Sequence, residues 1–365
     1  MYWSVYSPKA LDPFDWRTPD ETGIGNSETS HVEMCLRLAA RGHSVTSYTP
    51  GVRDEQYGGV WWRGLEDATF HEPGIWVLYR TPETLDQFPA DHPDQQIWLM
   101  FQDTHYDSTI PARAAKVDRA LALCAGHRAF LADRFPGLRE KLVTTSNGIR
   151  VDLIEAVERE GLPERCPHRL HFSSSPDRGL RILLSHIFPR AREIVTDLEL
   201  HVYYGWNNID KLMQTPDGRR YFGPTKAETE RLLDQPGVVW RGRVGQRELA
   251  REWLKAGLWV FPSTYPETSC ATAMEAQALG AIPIAHPLWG VQENVHWGTL
   301  ITGGNPCTDP LTQARYVAEI VRLSDPSTQA RIRPAMMADA RARFTWKTVV
   351  RQWETWADVG EVVCS

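Results

Sequence analysis

The stretch that decides the fold runs from residue 261 to residue 285 and reads FPSTYPETSCATAMEAQALGAIPIA. It opens on the end of an apolar strand, passes through a polar turn that contains Glu267, and enters a helix pattern that carries Glu275. A second apolar strand follows a glycine. This strand–turn–helix–strand order is typical of a parallel sheet with helices on both faces.

The turn itself has the character of an anion site. Residues 268–271 would offer free backbone N–H groups at the helix N-terminus, so Ser269, Cys270 and Ala271 are candidate phosphate contacts.

The two glutamates flank this turn, eight positions apart. Glu267, in the turn, can accept hydrogen bonds from sugar hydroxyls, and Glu275, about two turns into the helix, can reach a ribose diol. The plain alternative is a pair of acidic side chains stabilised by the helix dipole. On these residues alone, both interpretations stand.

Further strands follow from the same apolar pattern, in two series. The first comprises residues 2–6, 45–48, 75–79, 97–101, 121–125 and 142–145, and the second residues 170–173, 200–204, 238–241, 258–261, 282–285 and 299–302. We predict a helix over about 28–41 with Ser27 as N-cap and Gly42 just after its end, a loop over 207–225, and helical segments from about 312 onward.

Two α/β domains with doubly wound, Rossmann-like sheets are therefore expected. The charged stretch 152–168 contains two prolines and predicts the boundary, giving domains over residues 1–160 and 161–344. Ligands of such sheets bind at the carboxyl ends of the strands, so we expect a cleft between the domains to hold the ligand.

Composition narrows the class of protein. The 365 residues are 42% hydrophobic and 24% charged, with a formal net charge of −6, which gives no overall attraction to nucleic acid or anionic lipid. Neither an apolar run long enough to span a membrane nor a secretory signal pattern is found. The six cysteines are scattered, which fits a reducing cytoplasm rather than a disulfide framework or zinc site.

The stretch 261–285 resembles the E-x7-E signature of retaining glycosyltransferases with the GT-B architecture, family four of that class. Other segments similar to that family are residues 147–149 (NGI), 178–180 (RGL), 238–263, 290–293 (GVQE) and 344–356 (FTWKTVVRQWETW). The resemblance implies a GT-B fold of two Rossmann-like domains, an acceptor domain and then a donor domain. It also implies that a C-terminal helix, about residues 345–365, crosses back to the first domain.

The resemblance implies donor-binding roles in the second domain. Glu267 contacts the donor sugar at the reacting carbon, Glu275 binds the ribose, and Arg178 grips the diphosphate. Arg243 and Val244 embrace the base.

The diphosphate site departs from the family pattern at one position. Ser173 stands where the family often has an arginine, which leaves the diphosphate with one fewer expected cation. His171, Arg181 and Arg243 are the candidates to replace it, and the sequence does not choose among them.

In the first domain, two segments match the family. Gly23 and Gly25 precede a helix, and the resemblance implies that their loop lies over the donor phosphate and acceptor. A tight turn that binds no ligand explains the two glycines equally well. The family places a histidine–aspartate pair after the strand at 97–101; here Gln102-Asp103 occupies that place, with His105 just beyond and Asp107 nearby. Asp103 and His105 are the candidate catalytic residues, and a purely structural histidine stays open.

The mechanism implied by the resemblance is front-face displacement with retention, without a cofactor other than the nucleoside-diphosphate sugar co-substrate. Because no Asp-x-Asp occurs in the chain, we predict no required metal. The alternatives are an epimerase or phosphorylase on the same scaffold, or a non-catalytic sugar-nucleotide-binding subunit.

Partners follow from the same reading. They are a sugar nucleotide donor and a hydroxyl acceptor: a saccharide, a lipid-linked glycan or a small molecule. Basic residues over 110–141 leave weak peripheral contact with the inner membrane face open, though a solvated helical face explains them better. The acidic run 83–107 argues against nucleic acid.

Overall fold

The computed structural model describes residues 1–51, 54–89, 93–106 and 110–361. The chain forms two compact units: the first comprises Met1–Pro19, Ile24–Gly148 and Thr345–Ser365, and the second comprises Asp20–Gly23 and Ile149–Phe344. The chain thus enters the second unit earlier than the expected boundary near residue 160. The reason is a helix over Val151–Arg159, whose Leu153, Ile154 and Val157 are buried in the second unit's core.

An eight-stranded sheet forms the centre of the first unit. Its strands are β1 (Tyr2–Tyr6), β2 (Ser44–Tyr48), β3 (Glu55–Tyr57), β4 (Val60–Arg63), β5 (Gly74–Tyr79), β6 (Gln95–Met100), β7 (Arg119–Ala122) and β8 (Leu142–Thr144). Their order is β3-β4-β2-β1-β5-β6-β7-β8, and all pairs are parallel except β3 with β4. Because the chain winds outward in both directions from β1 and β5, the strand order reverses between these two strands.

Among the described residues of this part of the chain, the α-helices are α1 (Thr18–Glu21), α2 (Asn26–Ala40), α3 (Ile110–Arg113) and α4 (Ala125–Arg134). The N-cap of α2 is Gly25 in an extended conformation, so the prediction of Ser27 was wrong. The helix starts earlier because the N–H of Thr29 already bonds to the Gly25 carbonyl, at 3.0 Å. At its other end Gly42 has a φ of +89°, as expected for a glycine after a helix.

Six parallel strands form the sheet of the second unit: β9 (Cys166–Phe172), β10 (Glu199–Val202), β11 (Val238–Trp240), β12 (Ala256–Phe261), β13 (Ile282–Ala285) and β14 (Thr299–Leu300). Their order is β11-β10-β9-β12-β13-β14, so the order reverses between β9 and β12. β12 is buried along its whole length, as a central parallel strand covered on both faces must be.

The helices of this unit are α5 (Val151–Arg159), α6 (Leu180–Ile182), α7 (Phe188–Ile194), α8 (Asn207–Leu212), α9 (Pro216–Leu233), α10 (Gln246–Lys255), α11 (Ala271–Leu279), α12 (Gly290–Asn294), α13 (Pro310–Leu323) and α14 (Pro326–Arg343). α8 and α9 occupy the region predicted as a loop over 207–225, and that prediction was wrong. The Thr215 hydroxyl caps α9 by accepting from the Gly218 N–H at 3.0 Å, and Pro216 fits the first turn. Pro224 is tolerated inside this mostly exposed helix, at the cost of one backbone hydrogen bond.

The last helix, α15 (Trp346–Glu361), belongs to the first unit, as the family resemblance implied. It places Trp346, Val349, Val350 and Trp353 in the core that covers one face of the first sheet. Among the described residues, no helix combines the length and apolar content that crossing a bilayer requires.

Candidate functional site

In the second unit the reversal of strand order lies between β9 and β12, and the segments that leave their carboxyl ends carry polar groups. The segment after β9 contains Ser173, Asp177 and Arg178; the segment after β12 leads through Tyr265 to Glu267. Ligands of open α/β sheets bind outside the carboxyl ends of the strands at such a reversal. The fold therefore brings the predicted Arg178 and Glu267 to the position where a ligand is expected.

Arg178 is held by three neighbours. Its Nε lies 3.3 Å from Oε1 of Glu267, and its Nη1 donates to the Asp177 carboxylate at 2.8 Å. The guanidinium carbon stands 3.3 Å from the centre of the Tyr265 ring, as in a cation–π contact. The guanidinium is thus fixed in direction before any ligand binds.

Glu267 is fixed through its backbone as well as its side chain. Its N–H donates to the Tyr265 carbonyl at 2.9 Å, and its carbonyl accepts from the Gly290 N–H at 2.8 Å. A Cβ at Gly290 would lie 2.8 Å from the same carbonyl oxygen, so this approach requires glycine. Burial raises the pKa of Glu267 to about 7, against the opposing charge of Arg178. The carboxyl is therefore poised between its two protonation states near neutral pH.

The N-terminus of α11 carries Ser269, Cys270 and Ala271 beside this pair. The Cys270 N–H donates to Oδ1 of Asn294 at 3.0 Å. The prediction that this N–H is free to bind a phosphate was therefore wrong. Burial raises the pKa of the Cys270 thiol to about 12, which keeps it protonated.

Two buried serine hydroxyls lie in these segments without a protein partner. Ser173 follows β9 and Ser269 precedes α11, and each is at least nine-tenths buried. The Oγ atoms of both make no hydrogen bond within the described residues. A buried hydroxyl without a partner is unfavourable, so both positions point to hydrogen bonding by a bound ligand.

Glu275 lies about one turn into α11, closer to its N-terminus than the two turns expected. Burial raises its pKa to about 7, and the nearby Trp253 indole opposes that rise. Arg178, Glu267, Ser269 and Glu275 all belong to the second unit.

Gly23 joins the predicted base-binding loop. It belongs to the second unit, with a φ of +70°, and a Cβ there would lie 2.6 Å from the Val244 carbonyl oxygen. The Arg243 guanidinium carbon stands 5.9 Å from the centre of the Tyr204 ring. The structure thus groups Gly23 with Arg243 and Val244, and separates it from Gly25, which caps α2 in the first unit.

His171 does not qualify as the second cation. Its ring is fully buried and stacks on Trp253 and Tyr203, at 3.5 Å and 4.5 Å between ring centres. Burial, with the nearby His201 and Arg169 charges, holds its pKa well below the ordinary value. His171 is therefore neutral.

Arg181, the next candidate, forms an ion pair, as Arg178 does, and this contact does not exclude it. It pairs with Glu228 at 3.5 Å.

In the first unit, Asp103 and His105 follow β6 and differ in how they are held. His105 is exposed, and its ring nitrogen Nδ1 lies 3.1 Å from the Thr104 hydroxyl. The Asp103 N–H donates to the Tyr106 hydroxyl at 3.0 Å, and its carbonyl lies 3.0 Å from Nε2 of the buried His127. Asp107 lies outside the described residues.

Arg80, after β5, completes the fixation of Asp103. Its Nε donates to the Asp103 carboxylate at 2.6 Å. The sequence analysis missed Arg80, Tyr106 and His127. Their contacts with Asp103 arise from the fold, and no local sequence pattern marks them.

Comparison with known proteins gives structural matches only. No family model matches the sequence, and no match was found among curated proteins. The sucrose-phosphate synthase of Thermosynechococcus elongatus superposes with a TM-score of 0.68, at 17% identity, over 99% of each chain. HepE of Anabaena, in complex with UDP-glucose, matches with a TM-score of 0.68 at 16% identity, over 98% of this chain and all (100%) of that one.

A glycosyltransferase from Rickettsia africae matches with a TM-score of 0.69 at 12% identity, over 98% of this chain and 97% of that one. The similarity extends over both units, and at these sequence identities it supports the fold alone. The chain has the GT-B fold of glycosyltransferases.

Proposed function

We propose that this chain is a retaining, metal-independent glycosyltransferase that moves a sugar from a nucleoside-diphosphate sugar to a hydroxyl acceptor. The observation that carries the proposal is the group at the strand reversal of the second unit. Arg178 is oriented by Glu267 and Tyr265, and the buried hydroxyls of Ser173 and Ser269 have no protein partner. A cation and hydroxyl donors beside a helix N-terminus suit a diphosphate.

Each of the candidate residues in the second unit contacts one part of the nucleoside-diphosphate sugar. Arg178, Ser269, Ala271 and the backbone around the start of α11 bind the diphosphate. Glu275 accepts hydrogen bonds from the ribose diol, for which its ionised form is needed. Glu267 accepts from hydroxyls of the donor sugar, and ligand binding there would favour its ionised form as well.

The base-binding and loop residues complete the donor assignment. Arg243 and Val244 contact the base. Gly23 allows the chain to approach the Val244 carbonyl closely, which shapes that loop. Gly25 caps α2 in the first unit and presents the N–H groups of its first turn.

The reaction we propose is a front-face displacement. The bond between the anomeric carbon and the diphosphate oxygen breaks, and a bond from the acceptor oxygen to that carbon forms on the same face. The acceptor proton passes to the leaving phosphate oxygen. Arg178 and the helix N-terminus at Ser269 stabilise the negative charge that develops on the leaving group, where a preorganised site is most effective.

We propose metal independence because of the side chains that this chain offers to the diphosphate. The sequence contains no Asp-x-Asp, and the group around Arg178 supplies positive charge from the protein. The acceptor is a saccharide, a lipid-linked glycan or a small molecule with a free hydroxyl, and nucleic acid has no support.

A cytoplasmic setting is proposed from the scattered cysteines. Most basic side chains over residues 110–141 bind carbonyls or carboxylates of their own unit, so they add no support for a membrane surface.

The first test is ligand binding in the presence of EDTA. Nucleoside diphosphates and their sugars are titrated while thermal unfolding is followed. A ligand at a hundred times its Kd should stabilise the native chain by about 2.7 kcal/mol. Arg178→Gln and Glu275→Gln should weaken this, and Arg322→Gln, which removes a surface ion pair, serves as control.

Incubation with the stabilising donor should then release nucleoside diphosphate by transfer or slow hydrolysis, with retention at the anomeric carbon. Absence of binding by every sugar nucleotide, with or without metal, contradicts the proposal. Binding without release under any acceptor would favour a non-catalytic subunit, and a strict need for added metal would refute metal independence.

A further inference from the structure

Arg80 has an unusual backbone for an arginine. It follows β5 directly and has a φ of +63°, in the left-handed region that side chains rarely adopt. Its N–H still continues the sheet by donating to the Met100 carbonyl at 3.0 Å. A glycine would adopt this conformation without strain, so an arginine here needs another reason.

The left-handed turn directs the guanidinium to three segments of the first unit. Nε donates to the Asp103 carboxylate at 2.6 Å, and Nη1 donates to the Lys9 carbonyl at 3.0 Å. Nη1 also lies 3.3 Å from the Glu28 carboxylate in the first turn of α2. Arg80, which itself follows β5, thus links the segment after β1, the first turn of α2 and the segment after β6.

This place is the strand reversal of the first sheet, between β1 and β5. The second sheet has Arg178 beside Glu267 at its own reversal. Each unit therefore holds an arginine–carboxylate pair where a ligand of an open α/β sheet is expected. Burial acts to lower the pKa of Arg80, but the Asp103 and Glu28 carboxylates outweigh it and raise the pKa, which keeps the guanidinium charged.

Asp103 is the carboxylate in this group with room for a ligand. Its side chain is 38% exposed, against 14% for Glu28. The Tyr106 hydroxyl accepts from the Asp103 N–H, and His127 lies within hydrogen-bond distance of its carbonyl, so the backbone is fixed independently of Arg80. Only the direction of the carboxylate then depends on the guanidinium.

We propose that Arg80 is a positioning residue, which orients the Asp103 carboxylate to accept hydrogen bonds from hydroxyls of the reacting sugars. The inference rests on the proposed glycosyl transfer. Arg80 acts through Asp103, and the strained backbone is retained because it aims the guanidinium at that carboxylate.

The test compares Arg80→Gly, Arg80→Lys and the control Arg41→Gly. Arg80→Gly removes the guanidinium and relieves the positive φ. Arg41→Gly removes an ion pair with Glu354 in the same unit, at the end of α2. The measurements are thermal stability, affinity for the bare nucleoside diphosphate, and kcat with the sugar nucleotide that binds the wild-type chain.

For Arg80→Gly we expect a small loss of thermal stability, because relief of the positive φ offsets only part of the lost contacts with Asp103, Glu28 and the Lys9 carbonyl. We also expect unchanged affinity for the nucleoside diphosphate and a kcat lowered about a hundredfold. Arg80→Lys should recover part of kcat, as should guanidinium ion added to Arg80→Gly at millimolar concentration. Arg41→Gly should keep the wild-type kcat. A merely structural role would lower stability without rescue by guanidinium.

The inference is overturned if Arg80→Gly keeps kcat within about threefold of wild type, a change too small for a lost positioning contact. It is also overturned if neither Arg80→Lys nor added guanidinium ion restores any of the lost kcat. A wild-type chain that neither transfers nor hydrolyses any sugar nucleotide would refute the proposed function, and this inference with it. The two failures are distinguished by the activity of the wild-type chain.

Discussion

The guanidinium of Arg178 is bound on one edge by the Glu267 carboxylate, 3.3 Å from Nε, and on its face by the Tyr265 ring. Both contacts restrict the side chain without a ligand. A bound diphosphate then meets a cation whose direction is already set, so little conformational entropy is lost on binding.

Replacement of Arg178 should therefore lower donor affinity. We expect Arg178→Gln to weaken nucleoside-diphosphate binding by about tenfold to a hundredfold, the range for a charged hydrogen bond. Arg178→Lys keeps the charge but loses the planar contact with Tyr265, and should fall between. Isothermal titration calorimetry measures this, and equal affinities in all three chains would contradict the assignment.

The two unpartnered serines predict effects of opposite sign. Ser269→Ala removes a buried hydroxyl that has no protein partner, so the unliganded chain should be as stable as wild type or slightly more stable. The same change should weaken diphosphate binding about tenfold or more, since a hydrogen bond to a charged group is lost. Ser173→Ala should behave alike. A hydroxyl with a purely structural role would instead lower stability and leave affinity unchanged.

Stability should depend on pH through the two site glutamates. Glu267 and Glu275 have a pKa of about 7 in the folded chain, whereas an unfolded glutamate titrates near about 4.3. Between these values the folded state holds more protons, so the free energy of unfolding falls as pH rises and the loss is complete above about pH 7. Below the unfolded pKa both residues are protonated in the folded and the unfolded chain, so neither adds to the pH dependence.

The matched variant for this effect is Glu275→Gln, which cannot ionise. Relative to wild type it should gain stability at pH 7.5 and gain little at pH 5, as measured by thermal unfolding at both values. A gain that is the same at both pH values would show that the ionisation of Glu275 is not responsible.

Tyr106 offers a test of the loop that carries Asp103. Its hydroxyl accepts from the N–H groups of Gln102 and Asp103, at 2.9 Å and 3.0 Å. Tyr106→Phe leaves both without this acceptor and should lower the free energy of unfolding by about 1–3 kcal/mol. Urea unfolding measures the change, and a difference below about 0.5 kcal/mol would show that neither bond matters.

Much of the fold could be predicted because its strands are short apolar runs. β1 and β13 were predicted with the bounds that the structure shows, and the two-sheet GT-B architecture was confirmed. β3 was missed because Glu55, Gln56 and Tyr57 are all exposed, so no apolar alternation marks it. α9 was missed because Pro224 and its neighbouring glycine suggested a loop, while the Thr215 cap was not recognised.

The candidate site was predictable only where sequence neighbours form it. Glu267, Ser269 and Glu275 lie in one stretch, so their grouping follows from a strand, a turn and a helix. Arg80 and Asp103 are 23 positions apart and meet through sheet order and a positive φ, neither of which a single sequence displays. The catalytic roles of Asp103 and His105 stay predictions.

The membership of α15 in the first unit has a consequence for biosynthesis. Trp346, Val350 and Trp353 are buried in the core of that unit, beside strands made from the beginning of the chain. A ribosome that has released only residues 1–148 has therefore supplied only part of this core, and one apolar face of the sheet stays uncovered until residues 346–361 emerge. The second unit, whose residues run to Phe344, is synthesised before α15 and can therefore fold before the core of the first unit is complete.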